Sequence, residues 1–119
     1  MAENEWVNGF PAPVVVADAK GTIVEMNPKA EEWYADSGGR DLLGKSLFEV
    51  IPEKAQGKVR ELLATRETNV YTFERGSVRK LVYQSPWYRD GAFAGLVQLL
   101  LAAPLEIPHY VRAPSAPKD

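Results

Sequence analysis

Along the chain, a β-branched run near the N-terminus gives way to helical spacing in the middle and to alternation toward the C-terminus, so a strand–helix–strand order is written in the hydrophobic pattern. Glu3 to Phe10 places Trp6, Val7 and Phe10 on one side of a short predicted helix, which Pro11 and Pro13 end. Val14 to Ala17 reads as a strand and Ile23 to Met26 as its returning partner. Between them, Asp18-Ala19-Lys20-Gly21 puts Asp and Gly at the first and last positions of a type I turn.

Asn27-Pro28 starts a helix: the Asn side chain accepts from a free backbone N–H, and proline at the first helical position gives up no hydrogen bond. That helix is predicted over Pro28 to Ala35, with Ala30, Trp33 and Tyr34 buried, and it stops at Gly38-Gly39. Ser46 and Glu49 form a capping box over a second short helix. Pro52 separates it from Glu53 to Glu67, where Ala55, Val59, Leu62 and Leu63 take one face and Lys54, Lys58, Arg60 and Glu61 the other.

After Asn69 the period becomes alternating, with Tyr71 and Phe73 opposite Thr72 and Glu74. Gly76 turns the chain into Val78 to Trp87, where Leu81, Tyr83 and Ser85 are phased inward against Lys80, Val82 and Gln84. Asp90-Gly91 is a strong hairpin signal, and the last strand runs from Phe93 to Ala102 with Val97 phased inward and Gln98 opposite it. Pro104, Pro108, Pro114 and Pro117 leave an extended tail with a disordered end. The expected organisation is a helical cap over 1–10, a folded domain over 11–103 and a proline-rich tail over 104–119. The expected fold class is α+β, a five-stranded antiparallel sheet with short helices packed on one face.

Composition narrows the function mainly by exclusion. At 119 residues there is room for one domain, and such a domain buries roughly two-thirds of its unfolded surface. Hydrophobic residues at 45% and charged residues at 25% are ordinary for a globular chain. A net charge of -2 with scattered Lys and Arg gives no footprint for nucleic acid, which is not expected as a partner. The absence of cysteine removes disulfides, thiolate metal sites and thiol nucleophiles, and suits a reducing compartment. Met1 to Trp6 lacks the features of a signal peptide, and no apolar stretch nears the ~20 residues of a membrane span, so a cytoplasmic place without membrane contact is expected.

The order of elements, and the residues at its joints, resemble the PAS family of sensory domains from Phe10 to Ala102. Pro13-Val14-Val15-Val16-Ala17-Asp18 with Gly21, Ile23 and Met26-Asn27 is similar to the family's opening hairpin. Asp41-Leu42-Leu43-Gly44-Lys45-Ser46-Leu47-Phe48 with Ile51-Pro52 is similar to its central short helices, and Asp90-Gly91 with Phe93 and Gly95 to its last hairpin. Sensory members usually close the last strand with an Asp-Ile-Thr-like motif leading to an effector helix. Here that stretch reads Ala102-Ala103-Pro104, so no attached output module is expected and a signal is expected to pass by association with a signalling partner.

The resemblance implies a cavity between the sheet and the long helix, where family members hold haem, flavin, small acids or nothing. Haem is not expected, because the long helix has no histidine and His109 lies in the tail. Light-driven flavin chemistry needs a cysteine that is missing, while non-covalent flavin remains compatible. No metal site is expected either. Ser37, Ser46, Ser77, Ser85 and Ser115 lack a base, and Glu31 and Glu32 point about a hundred degrees apart on a helix, so no catalytic residues are assigned.

The candidate lining for a small apolar ligand, with a filled core as the competing account, is Trp33, Phe48, Val59, Leu63, Tyr71, Phe73, Leu81, Tyr83, Ser85 and Val97. The expected function is a non-enzymatic sensory or protein-interaction domain; the alternatives are a small α+β enzyme or a flavin-binding sensor with a hydrophobic pocket. Leu96 to Leu101 is apolar in both parities except Gln98, and the outward-facing set of the neighbouring strand includes Val78, Val82 and Pro86. A homodimer through the outer sheet face and the N-terminal segment is therefore expected.

Overall fold

A computed structural model describes residues 5–114. The expected start of the first helix at Glu3 and the expected disorder at the end of the tail fall on residues 1–4 and 115–119, outside the described residues. Helix α1 spans Glu5–Gly9, strand β1 Val14–Asp18, strand β2 Ile23–Met26 and helix α2 Pro28–Trp33. Three 3-10 turns follow at Ala35–Ser37, Gly39–Leu42 and Leu47–Glu49, then helix α3 over Glu53–Thr65. Strands β3 (Asn69–Arg75), β4 (Val78–Arg89) and β5 (Ala92–Ala102) complete a five-stranded sheet in the order β2-β1-β5-β4-β3, every neighbouring pair antiparallel. The fold class is the one expected, α+β with a few short helices beside one antiparallel sheet.

The local signals act as their chemistry requires. Asp18 Oδ1 accepts from the Lys20 and Thr22 amides, and Gly21 N–H donates to the Asp18 carbonyl, which closes the first hairpin. Ser46 and Glu49 make both halves of the capping box, although the turn they cap is 3-10 rather than α. Helix α3 ends at Thr65, two residues earlier than the periodicity suggested, because Arg66 adopts a left-handed conformation with φ 63° and donates to the Leu62 carbonyl. Strand β2 is an edge, and the segment 44–47 covers it: Ile23 N–H donates to Lys45 O, Gly44 N–H to Ile23 O and Leu47 N–H to Gly21 O.

Asn27 binds the N-terminal segment to the domain. It is fully buried, caps α2 by accepting from Ala30 N–H at 2.9 Å, and accepts from Val14 N–H at 2.9 Å. Its amide donates to the carbonyls of Val7, Phe10 and Ala12 at 3.0, 3.3 and 2.8 Å. One side chain thus satisfies backbone groups on both sides of the Pro11–Pro13 break, where proline leaves no regular ladder to do so.

The core joins sheet to helices through Val15 and Ala17 of β1, Ile23 and Met26 of β2, Leu96 of β5, Ala30 of α2 and Val59 of α3, with Leu42 and Leu47 from the intervening turns. A large side chain buried this fully contributes on the order of 1.5–3 kcal/mol. Phe48 and Leu63 pack against this cluster.

The register of the last three strands corrects the inward phasing. Tyr71 pairs with Val82, Gln84 with Gln98, and Val82 with Leu100, and these form the face toward the helices. Leu81, Tyr83 and Ser85 pair with Leu101, Leu99 and Val97 and therefore lie on the opposite face, with Tyr83 38% exposed. Val82, expected to point outward, is buried, and Gln98 points in rather than out. Both parities of these strands are largely apolar, so alternation did not discriminate between faces; cross-strand pairing did.

Candidate functional site

Between the inner sheet face and α3 lies a cavity of about 680 Å³. The end of α2 and the residue after it supply Trp33 and Tyr34, the link from the last 3-10 turn to α3 supplies Val50, Ile51 and Pro52, the start of α3 supplies Ala55, and the sheet supplies Tyr71, Phe73, Val82 and Leu100. Trp33 and Phe73 tilt against one another with ring centroids 6.3 Å apart. Of the ten residues proposed from sequence, Trp33, Val59, Tyr71 and Phe73 line this cavity. Phe48 and Leu63 lie in the neighbouring core, and Leu81, Tyr83, Ser85 and Val97 are on the far face of the sheet.

The floor of the cavity is polar, and sequence reasoning missed most of it. Asn69 Nδ2 donates to Gln84 Oε1, Gln84 Nε2 donates to Gln98 Oε1, and Gln98 Nε2 donates to the Tyr34 hydroxyl, each at 2.9 Å. Asn69, Gln84 and Gln98 are successive register partners on β3, β4 and β5, so the amides form a ladder across three strands. Gln84 and Gln98 are only 2% and 4% exposed, a burial that is tolerable because each amide is hydrogen-bonded to the next.

Burial pushes the Tyr34 phenol above its ordinary value; the Gln98 hydrogen bond and the Arg75 charge pull the other way, and Tyr71 adds to the rise. Burial also raises Tyr71. Tyr34 therefore enters the cavity as a neutral hydroxyl. It accepts from Gln98 and keeps its own hydrogen to donate.

Cations stand around the aromatic wall. Lys54, Lys58 and Arg75 line the cavity, and among the described residues no Asp or Glu does. The Arg75 guanidinium lies 5.5 Å from the centre of the Trp33 ring and 5.8 Å from that of Phe73. The lining contains no histidine or cysteine, so a haem carried on an axial histidine or a flavin trapped by a thiol does not fit these residues. Among the described residues no cluster of His, Cys, Asp and Glu is arranged to hold a metal ion.

The sequence matches the family described as the PAS fold over residues 4–93. The chain belongs to the PAS family. PAS domains are sensory and signalling modules, and solved structures with the same architecture agree with the match at the level of fold. The PAS domain of Bordetella pertussis BvgS aligns with a TM-score of 0.67 at 19% identity, covering 87% of this chain and 85% of that one. The PAS domain of the histidine kinase ThkA aligns with a TM-score of 0.63 at 18% identity, covering 75% of this chain and 96% of its own. The Aer2 receptor from Vibrio cholerae, described as a dual PAS-heme oxygen sensor, aligns with a TM-score of 0.61 at 19% identity over 81% of this chain and 97% of that one. No curated protein matches the sequence. Among the described residues, no helix of this PAS domain is long and apolar enough to cross a membrane.

Proposed function

We propose that this PAS domain senses a small molecule held in the cavity above the glutamine ladder, has no catalytic activity of its own, and passes on occupancy by contact with a signalling protein. The observation that carries the reading is the hollow itself. A cavity of about 680 Å³ falls within the roughly 300–1,000 Å³ of small-molecule sites, and it combines an apolar wall with a few convergent polar groups. A domain this small gains stability by filling such a space with its own side chains. A retained hollow floored by ordered amides therefore favours an occupant over plain core.

The same proposal includes a homodimer through the outer sheet face and the N-terminal segment, in a cytoplasmic setting that suits a chain without cysteine. Its support is the exposed Tyr83 on β4 and Trp6 on α1, 38% and 63% accessible, with Leu81, Val97, Leu99 and Leu101 half-buried beside Tyr83. Leu100 faces the cavity and takes no part in that surface.

Native mass spectrometry of the purified protein, before and after denaturation, tests the sensing reading. A small molecule released only on denaturation, and lost from the cavity-filling variant Ala55→Trp, is the expected result. A wild type that carries nothing, and whose melting temperature no compound in a metabolite screen raises, counts against it.

A further inference from the structure

The charge around the cavity is one-sided, and this distinguishes between possible occupants. Lys54, Lys58 and Arg75 reach it, and among the described residues no carboxylate lines it. Lys58 is drawn to Glu61 at 3.0 Å, in an exposed pair worth little in water. Lys54 and Arg75 have no carboxylate within salt-bridge distance among the described residues. Arg75 instead lies across the Trp33–Phe73 pair, so its charge sits at the edge of an aromatic wall.

The hydrogen-bond ladder points the same way. Each amide donates toward Tyr34, from Asn69 through Gln84 to Gln98, so the free end of the chain is the Tyr34 O–H, a donor. Among the described residues nothing accepts that hydrogen. The Arg75 charge also acts on that hydroxyl, the smallest of the influences on it and one that runs against the dominant effect of burial. A site built of aromatic faces, two cations without a carboxylate partner and a hydroxyl donor without an acceptor complements a flat ring bearing an acceptor with negative charge. It disfavours a cation, and it offers a neutral apolar molecule nothing for its polar groups to answer.

We propose that the cavity is selective for a planar aromatic anion, in its simplest form an aromatic carboxylate, whose ring lies against Trp33 and Phe73 and whose acid group takes Arg75, Lys54 and the Tyr34 hydroxyl. This rests on the cavity being a ligand site. An aromatic acid uses both the aromatic wall and the cations beside it at once. Arg75 supplies a planar fork matched to a carboxylate, and Lys54 adds a mobile charge at the mouth.

Three probes with one ring and three charges test it by isothermal titration calorimetry on the full chain: indole-3-acetate, uncharged indole-3-acetamide and cationic tryptamine. The expected order of affinity is acid, then amide, then amine, with the acid bound about tenfold more tightly than the amide at low salt. In the double variant Lys54→Met/Arg75→Met the acid falls to the level of the amide, while the amide is unchanged. The cavity-filling variant Ala55→Trp weakens all three.

The failures separate. If acid and amide bind equally to the wild type and Ala55→Trp abolishes both, the cavity is a ligand site and its anion selectivity is wrong. If the acid keeps its advantage in the double variant, Lys54 and Arg75 are not its partners. If none of the three binds at millimolar concentration, or all bind Ala55→Trp as well as wild type, this inference falls, while the ligand-site reading stands or falls on the native mass spectrometry and the metabolite screen.

Discussion

Gln84 and Gln98 face each other across β4 and β5, and the Gln84 amide donates to the Gln98 carbonyl at 2.9 Å in a setting almost closed to solvent. Each is the other's partner, and their outer hydrogen bonds tie β3 to the end of α2 through Asn69 and Tyr34. Coupling across the cavity floor follows directly.

Replacing either glutamine alone with methionine, close in size but without the amide, strands its partner's polar atoms in a buried place. We expect each single variant to lose about 1–3 kcal/mol, and the double variant to lose about 1 kcal/mol less than the sum. Urea unfolding of the four proteins measures this as a double-mutant cycle. Strictly additive losses would show that the two side chains do not share a hydrogen bond.

Asn27→Asp keeps the shape of the hub and reverses its chemistry, because a carboxylate cannot donate to the Val7, Phe10 and Ala12 carbonyls. The variant is expected to lose at least about 3 kcal/mol. Limited proteolysis should then cut the chain near Pro11, where the wild type resists. A variant as resistant as wild type would mean that α1 is held by other contacts.

Gly95 has φ 147°, and a Cβ there would run into the Ala17 carbonyl and Asp18 backbone of β1. That carbonyl also accepts from the Trp87 indole at 3.0 Å, whose strand partner is Gly95 itself. Gly95→Ala should therefore cost about 4 kcal/mol or prevent folding. Gly91→Ala, at a hairpin position with φ 83° and open space, should cost roughly 1 kcal/mol. Chemical denaturation of both variants decides; similar losses would remove the β1 clash as the reason for glycine.

The raised Tyr34 pKa has a consequence at high pH. The folded state holds the phenolic proton more tightly than the unfolded chain, so this contribution is complete below the unfolded value near 10.0 and is lost as pH rises through the folded one. Wild-type stability should fall as pH rises above about 10, and Tyr34→Phe should fall less steeply over the same window. Denaturation midpoints followed from neutral to alkaline pH give the comparison, and parallel curves would show that Tyr34 is not perturbed by folding.

Much of the fold was legible in particular residues. Asn27-Pro28, the Ser46–Glu49 box, the Asp18–Gly21 turn and Asp90-Gly91 each mark an element boundary through backbone chemistry confined to a few neighbours, and each acts where it was expected. Trp33, Val59, Tyr71 and Phe73 were legible as inward-facing because their elements have one apolar face opposite a polar one. Strands β4 and β5 gave no such contrast. Their pattern points Leu81, Tyr83, Ser85 and Val97 toward the cavity, whereas Gln84 and Gln98 form its floor.

What the sequence determined by itself is therefore local: caps, turns, the period of each element, and a composition that allows a single small domain without thiol chemistry. Which face of the last two strands meets the helices was decided only by tertiary structure. An unbulged count back from the Asp90-Gly91 turn sets Gln84 opposite Val97; the register shift between Trp87 and Tyr88 moves it opposite Gln98. A one-residue shift is nearly silent in a pattern apolar on both faces. It is decisive in space, because it brings two amides that would be costly to bury alone into hydrogen-bonding distance, and the ladder they begin is what gives the cavity its polar floor.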